Sequence, residues 1–207
     1  MRAAAGKEQV AAPVRLFRNR DAWVAWLEKN HRKSVGLWLR LAKKDSGLRS
    51  VSYAEALEIA LCYGWIDGQK KGESAQAWLQ RFLPRSATSI WSRINRNKAE
   101  VLITDGRMKA AGLEVVDVAR KNGRWESAYT SQKNAEVPDD LRVALDANST
   151  ARDFFQSLDS ANRYAVLFRI QTVKKAETRS AKIRQFVEML ARHERIHEPR
   201  KARRAPK

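Results

Sequence analysis

The sharpest chemical pattern in the chain is His193-Glu194-Arg195-Ile196-His197, an H-E-x-x-H sequence. At that spacing two imidazoles share a helix face and hold zinc, while the glutamate between them acts as base. A catalytic zinc also needs a third protein ligand and a walled cleft. The basic sequence that follows Pro199 offers neither, and its charge opposes a further cation. The motif is read as a chance match on a solvated helix end, and no metal is expected. Cys62 sits between Leu61 and Tyr63 without a neighbouring base, so a buried, inert thiol is expected. As the single cysteine it allows neither an intrachain disulfide nor a cysteine zinc cluster. His31 follows the expected end of a helix at Lys29-Asn30, where contact with the negative helix terminus accounts for it. The chain has no glycine-rich phosphate loop, nucleophile elbow or G-x-G-x-x-G fingerprint. No catalytic residue and no cofactor is assigned.

What remains is a basic, aromatic island over residues 65–98, with seven basic and two acidic residues. Its candidate ligand-binding residues are Trp65, Asp67, Arg81, Arg85, Ser89, Trp91 and Asn95. Two readings stay open. In one, a helix starting near Ser89 presents free N–H groups beside Arg81 and Arg85, and together they hold a phosphate or carboxylate. Interleaved aromatics and cations also suit single-stranded nucleic acid. In the other, Trp65, Trp78 and Trp91 fill a sheet–helix core, and Asp67 pairs with Arg81 or Arg85 as scaffold. A hydrolase or transferase using Asp67 as base is a third possibility, resting on that one carboxylate.

These residues need elements to position them. Asn19 or Asp21 can cap a first helix carrying Trp23, Trp26 and Leu27. Val35, Leu37, Leu39 and Leu41 then alternate with Ser34, Gly36, Trp38 and Arg40, a period of two that predicts a strand with one buried face. Ser52 and Glu55 form a capping box for a helix ending near Gly64. Extended pieces over Trp65–Lys70 and Gln76–Leu83 can pair and enlarge the first strand, Ser34–Lys43, into a small sheet. From Ser89 onward the signals are helical. Ile90, Trp91, Ile94, Val101 and Leu102 form one stripe, and Leu113, Val116 and Ala119 a second. Pro138 stands at an expected helix N1 before Asp139 and Asp140. Thr150 and Ser160 are the expected caps of two more helices, and a last one carries Ile183, Phe186, Val187 and Leu190. The fold class is α+β: a small N-terminal antiparallel or mixed sheet packed with helices, followed by an all-helical C-terminal half.

At 207 residues and 43% apolar content the chain can bury a sizeable core. No apolar run approaches the roughly 20 residues that span a bilayer. No signal-peptide h-region follows Met1, so a cytoplasmic protein without a membrane span is expected. The net charge of +18 favours anionic partners, and nucleic acid among them. Much of it sits at the ends. Residues 1–20 hold five basic and one acidic group, and residues 174–207 hold twelve and four. Terminal charge often only aids solubility, so the internal island is the more informative feature.

A run of ordered motifs resembles one family. Leu61-Cys62-Tyr63-Gly64-Trp65-Ile66-Asp67-Gly68 comes first, then Gln80–Arg85, then Trp91–Asn95. Gly106-Arg107-Met108, Ala111-Gly112-Leu113 and Gly123-Arg124-Trp125 continue it, followed by Val137–Leu141, Ala151–Phe155 and Lys175–Arg179. Together they resemble the YdeI/OmpD-associated, or bacteriocin-protection, family over residues 16–192, with basic segments 1–15 and 193–207 outside and expected to be flexible and disordered. Two departures stand out: Leu83 where the family often has Thr, and Ser74-Ala75 where acidic residues are common. The resemblance implies a role in tolerance of bacteriocins, antimicrobial peptides or envelope stress, with no shared reaction or cofactor. The leading expectation is therefore a non-enzymatic stress-tolerance protein that binds an anionic ligand or partner. Nucleic-acid binding through a basic Trp/Arg surface is the alternative.

Overall fold

The computed structural model describes residues 12–173 and 175–198. Residues 1–11 and 199–207, on which the expected flexible start and disordered tail mainly fall, lie outside the described residues. The fold is α+β, as the patterning predicts. Internal contacts gather the chain into two units, one of Met1–Ser89 with Asn95–Trp125 and one of Ile90–Ile94 with Glu126–Lys207.

The first unit is built on a four-stranded mixed sheet, β1 (Val14–Arg15), β2 (Leu37–Ala42), β3 (Trp65–Gly72) and β4 (Ala77–Pro84), in the order β1-β2-β4-β3. Only β1 runs parallel to its neighbour. In β2 the leucines at 37, 39 and 41 are buried while Trp38, Arg40 and Ala42 are half-exposed, so the period-two reading of this stretch holds. Val35 does not belong to the buried row as expected. It is 79% exposed, because the strand begins only after Gly36, whose φ of 115° turns the chain. A side chain there would meet Phe82 O at 2.6 Å. β1 has two residues and offers no alternation to read.

Helix α1 (Arg20–Asn30) is capped by Asn19, whose side chain accepts from the Ala22 N–H. Helix α2 (Tyr53–Cys62) opens with the expected Ser52/Glu55 capping box. Both helices serve one sheet face through an aromatic cluster. Trp23 stacks on Trp26 at 5.5 Å between ring centres and meets Phe82 edge-on at 5.8 Å. Trp65 meets Trp26 edge-on at 5.7 Å. Burying an indole strands its N–H unless a partner is found. Trp23 Nε1 donates to Ala56 O and Trp65 Nε1 to His31 O, each at 3.1 Å.

Helix α3 (Arg93–Thr104) starts later than the Ser89 expected. Its stripe also differs: Ala99 and Leu102 are buried, while Val101 is 58% exposed. Helix α4 (Ala110–Lys121) follows, and its first turn abuts the end of α2, where the Lys109 N–H donates to Cys62 O at 3.1 Å. Cys62 is buried, and that burial pushes its thiol upward.

The second unit packs α5 (Asp139–Asp146), α6 (Ser149–Ser157), α7 (Ser160–Gln171) and α8 (Ala176–Ala191) around Leu141, Leu145, Phe155, Val166, Ile170, Ile183, Phe186 and Leu190. The caps of α6 and α7 are Asn148 and Asp159, each one or two residues before the expected Thr150 and Ser160. Pro138 is the N-cap residue of α5, one place before the expected N1. Arg179 of α8 fastens this unit. It grips Asp140 with two hydrogen bonds of 2.6 and 2.9 Å and donates a third to Ile170 O at the end of α7. Replacing Arg179 by alanine is expected to lower the unfolding free energy by about 1–2 kcal/mol, the charged bonds being partly solvated. Arg179 holds the Asp140 carboxyl below the usual carboxylate range. The folded chain therefore binds that proton less readily than the unfolded chain. The contribution is full above the ordinary carboxylate range and fades as pH falls through the lowered value. Acid-denaturation curves of R179A and the parent, converging at low pH, check the sign.

Candidate functional site

Strand register decides where the island's side chains go, because paired residues share a face and the next residue takes the other. Asp67 lies opposite Phe82, so it is on the helix-covered face. Its Oδ2 accepts a 2.7 Å bond from the Tyr53 hydroxyl. Burial, then this bond, pushes the Tyr53 phenol strongly upward. Arg81 lies opposite Trp38 and therefore on the other face. Trp65 is core, at 1% exposure. Arg85 is buried, and its backbone N–H donates to Gly64 O at 2.9 Å. Ser89 closes a small hydroxyl loop: its N–H donates to Ser86 O, and its Oγ accepts from the Ser86 N–H, both at 3.0 Å. It precedes α3 by several residues and is not the helix start. Asn95 is half-buried within α3. Trp91 belongs to the second unit, where it is 3% exposed and its carbonyl accepts from the Tyr129 N–H.

The face that carries Arg81 has a chemistry of its own. Trp38 and Arg40 project from β2 and Lys71 from β3, with Leu79 of β4 between them. Val14 of β1, 44% exposed, continues the row across Trp38. The Lys71 ammonium sits 4.3 Å from the Trp38 ring centre. Arg40 is held by both Glu73 oxygens, at 2.6 and 2.7 Å. Among the described residues, Arg81 reaches only Val35 O, at 3.4 Å, and its Nη1 is a buried nitrogen without a hydrogen-bond partner. Desolvation lowers its pKa. Directly behind, Lys70 covers Trp78 at 4.2 Å. Consecutive lysines thus cover tryptophans on opposite sides of one hairpin.

Sequence reasoning placed Arg81 and Lys71 in the island, without naming Lys71 a candidate binding residue, and left out Trp38 and Arg40. The signal existed, since the alternation over Leu37–Leu41 already sets Trp38 and Arg40 apart from the leucines.

The H-E-x-x-H residues have no helix to stand on. Helix α8 ends at Ala191, and His193 takes a φ of 56°. The His193 N–H then donates to Leu190 O and the Glu194 N–H to Met189 O, a standard helix stop. Glu194 is engaged by Arg192 at 2.8 Å. The backbone N–H and carbonyl of His197 are both taken by the buried Asn162 side chain, at 2.8 and 3.1 Å. Among the described residues, no group of three or more His, Cys, Asp or Glu side chains is arranged to hold a metal. Nor is any described helix long and apolar enough to cross a membrane.

Two family models match the chain. Residues 15–115, most of the first unit, match a domain of unknown function. Residues 134–193, the four-helix part of the second unit, match the bacteriocin-protection, YdeI or OmpD-associated family. No curated protein and no solved structure matches. The family resemblance read from the motifs is therefore supported at residues 134–193, which are similar to the bacteriocin-protection, YdeI or OmpD-associated family, while the motifs between Leu61 and Leu113 fall where the other model matches.

Proposed function

We propose that this is a non-enzymatic, cytoplasmic stress-tolerance protein of the bacteriocin-protection type that works by binding an anionic partner. The partner is single-stranded nucleic acid, and it binds on the half-exposed face of the sheet. The observation that carries the reading is the register that puts Trp38, Arg40, Lys71 and Arg81 on one face. A base stacking on Trp38 displaces the Lys71 ammonium from the ring. That exchange is favourable, because an exposed cation–π contact is worth about 0.5–1 kcal/mol and base–aromatic stacking about 1–3 kcal/mol. The freed lysine and Arg81 then face phosphates. The overall charge of +18 draws a polyanion toward the chain at long range.

The test is fluorescence anisotropy of a labelled oligothymidylate with the full chain at rising salt. Affinity should fall with a log–log slope of roughly −0.7 for each phosphate contacted. Trp38→Ala should weaken binding roughly tenfold or more, and Lys71→Met and Arg81→Met should each flatten the slope. Absence of binding at low salt removes the reading. So does binding that ignores these three substitutions and disappears when residues 199–207 are deleted.

A further inference from the structure

The first unit also contains an open cleft of about 330 Å³, at the small end of the range for ligand sites. Its walls are Glu28, His31 and Arg32 at the end of α1, Tyr63 after α2, and Lys109 with the first turn of α4. We infer that this cleft binds a small organic acid with a hydrogen-bond donor beside its acid group, the chemistry shared by α-amino acids and α-hydroxy acids.

The polar groups there are of opposite kinds. Lys109 and Arg32 supply positive charge for a carboxylate. Arg32 is tied to Glu114 at 2.8 Å, but both side chains are more than half exposed, so the pair yields at little cost. The first turn of α4 adds its dipole at the same end. Glu28 is the complement. Among the described residues its Oε1 takes a single long bond of 3.3 Å, from the Tyr63 hydroxyl, and a carboxylate has capacity for further donors. Burial, then Glu28, pushes the Tyr63 phenol up to about 12, so it is a neutral donor near pH 7. His31 Nδ1 lies 2.8 Å from Leu27 O, which requires Nδ1 to carry hydrogen and leaves Nε2 of the neutral ring as an acceptor. A lone anion would use Lys109 and be repelled by Glu28. An acid that also carries an ammonium or hydroxyl group satisfies both ends.

The backbone and the two rings of the cleft are held before any ligand arrives. His31 O receives the Trp65 indole, the His31 and Tyr63 rings lie 5.3 Å apart, and the Lys109 N–H is bound to Cys62 O. Binding therefore needs no refolding of the backbone and orders only the exposed side chains of Glu28, Arg32 and Lys109.

Thermal unfolding of the full chain with L-serine, L-lactate or acetate, alongside NMR of the His31 and Tyr63 rings, tests this. Serine and lactate should raise the melting temperature in proportion to the logarithm of their concentration at saturation, and acetate should do so far less. Lys109→Met should abolish the effect of both acids without changing the melting temperature of the free protein. Glu28→Gln should weaken serine about tenfold and lactate less, since an ammonium depends more on the carboxylate. Trp38→Ala should leave these shifts intact, which separates the cleft from nucleic-acid binding. Ring signals and melting temperature that ignore all three compounds overturn the inference. So do shifts that survive in K109M, or acetate acting as strongly as serine.

Discussion

Replacing Trp23 by alanine is expected to remove about 3–5 kcal/mol of unfolding free energy, the range for a large aromatic lost from a core. Trp23 is fully buried and touches Phe17, Trp26, Trp65 and Phe82 ring to ring. No other ring can fill the gap without leaving its own contacts. The substitution also removes the indole bond to Ala56 O, which keeps its place in the hydrogen-bond ladder of α2. Trp78→Ala is the comparison. That ring is half-buried, with Lys70 over it and Tyr53 tilted against it at 5.9 Å, so about 1 kcal/mol is expected. Urea titrations of the two variants, followed by circular dichroism, decide it. Equal losses would mean that the aromatic cluster is not the core of this unit.

The second large effect is Gly64→Ala. Gly64 has a φ of 73°, and a Cβ there would lie 2.8 Å from Ala111 O and 2.9 Å from a Val115 methyl. Two costs combine: roughly 1–2 kcal/mol for a left-handed alanine and about 1–3 kcal/mol for overpacking against backbone. Gly47 separates them. Its φ is 72°, yet nothing lies within 4 Å of its missing side chain. Gly47→Ala should show the conformational cost alone, and the difference between the two variants isolates the close approach of α2 and α4. Identical losses would remove the steric term.

The reason Gly64 could be placed as a helix stop from sequence, but not as a contact with α4, bears on what a sequence shows. Local signals act over a few residues. The Ser52/Glu55 box, the leucine alternation of β2 and the glycine at the end of α2 are all of that kind, and all three are present in the structure. Where two residues of similar capping chemistry stood close together, local rules picked the wrong one. Asn148 and Asp159 hold the caps expected of Thr150 and Ser160, since the residue that ends the preceding turn has the extended backbone a cap requires. The site depends on longer-range facts. Arg81 and Phe82 are neighbours in sequence and opposites in the sheet, so a contiguous basic island divides between two faces once β4 pairs with β2. The cleft is harder still. Glu28, Tyr63 and Lys109 come from three helix ends, and no spacing rule joins them.

The joint between Asn162 and His197 has a sense of direction. A peptide unit shows one donor and one acceptor, and a carboxamide shows the reverse pair. Asn162 therefore acts as a side chain imitating a neighbouring strand, reading both halves of a single His197 residue. The same amide nitrogen also lies 3.2 Å from Asp159 Oδ1, which fixes which end of the amide is which. Aspartate would keep the shape and lose the polarity. It would turn one oxygen toward both the His197 carbonyl and the Asp159 carboxylate. The connection is keyed like a plug with unlike pins: near-identical size does not suffice, and the part must enter the right way round.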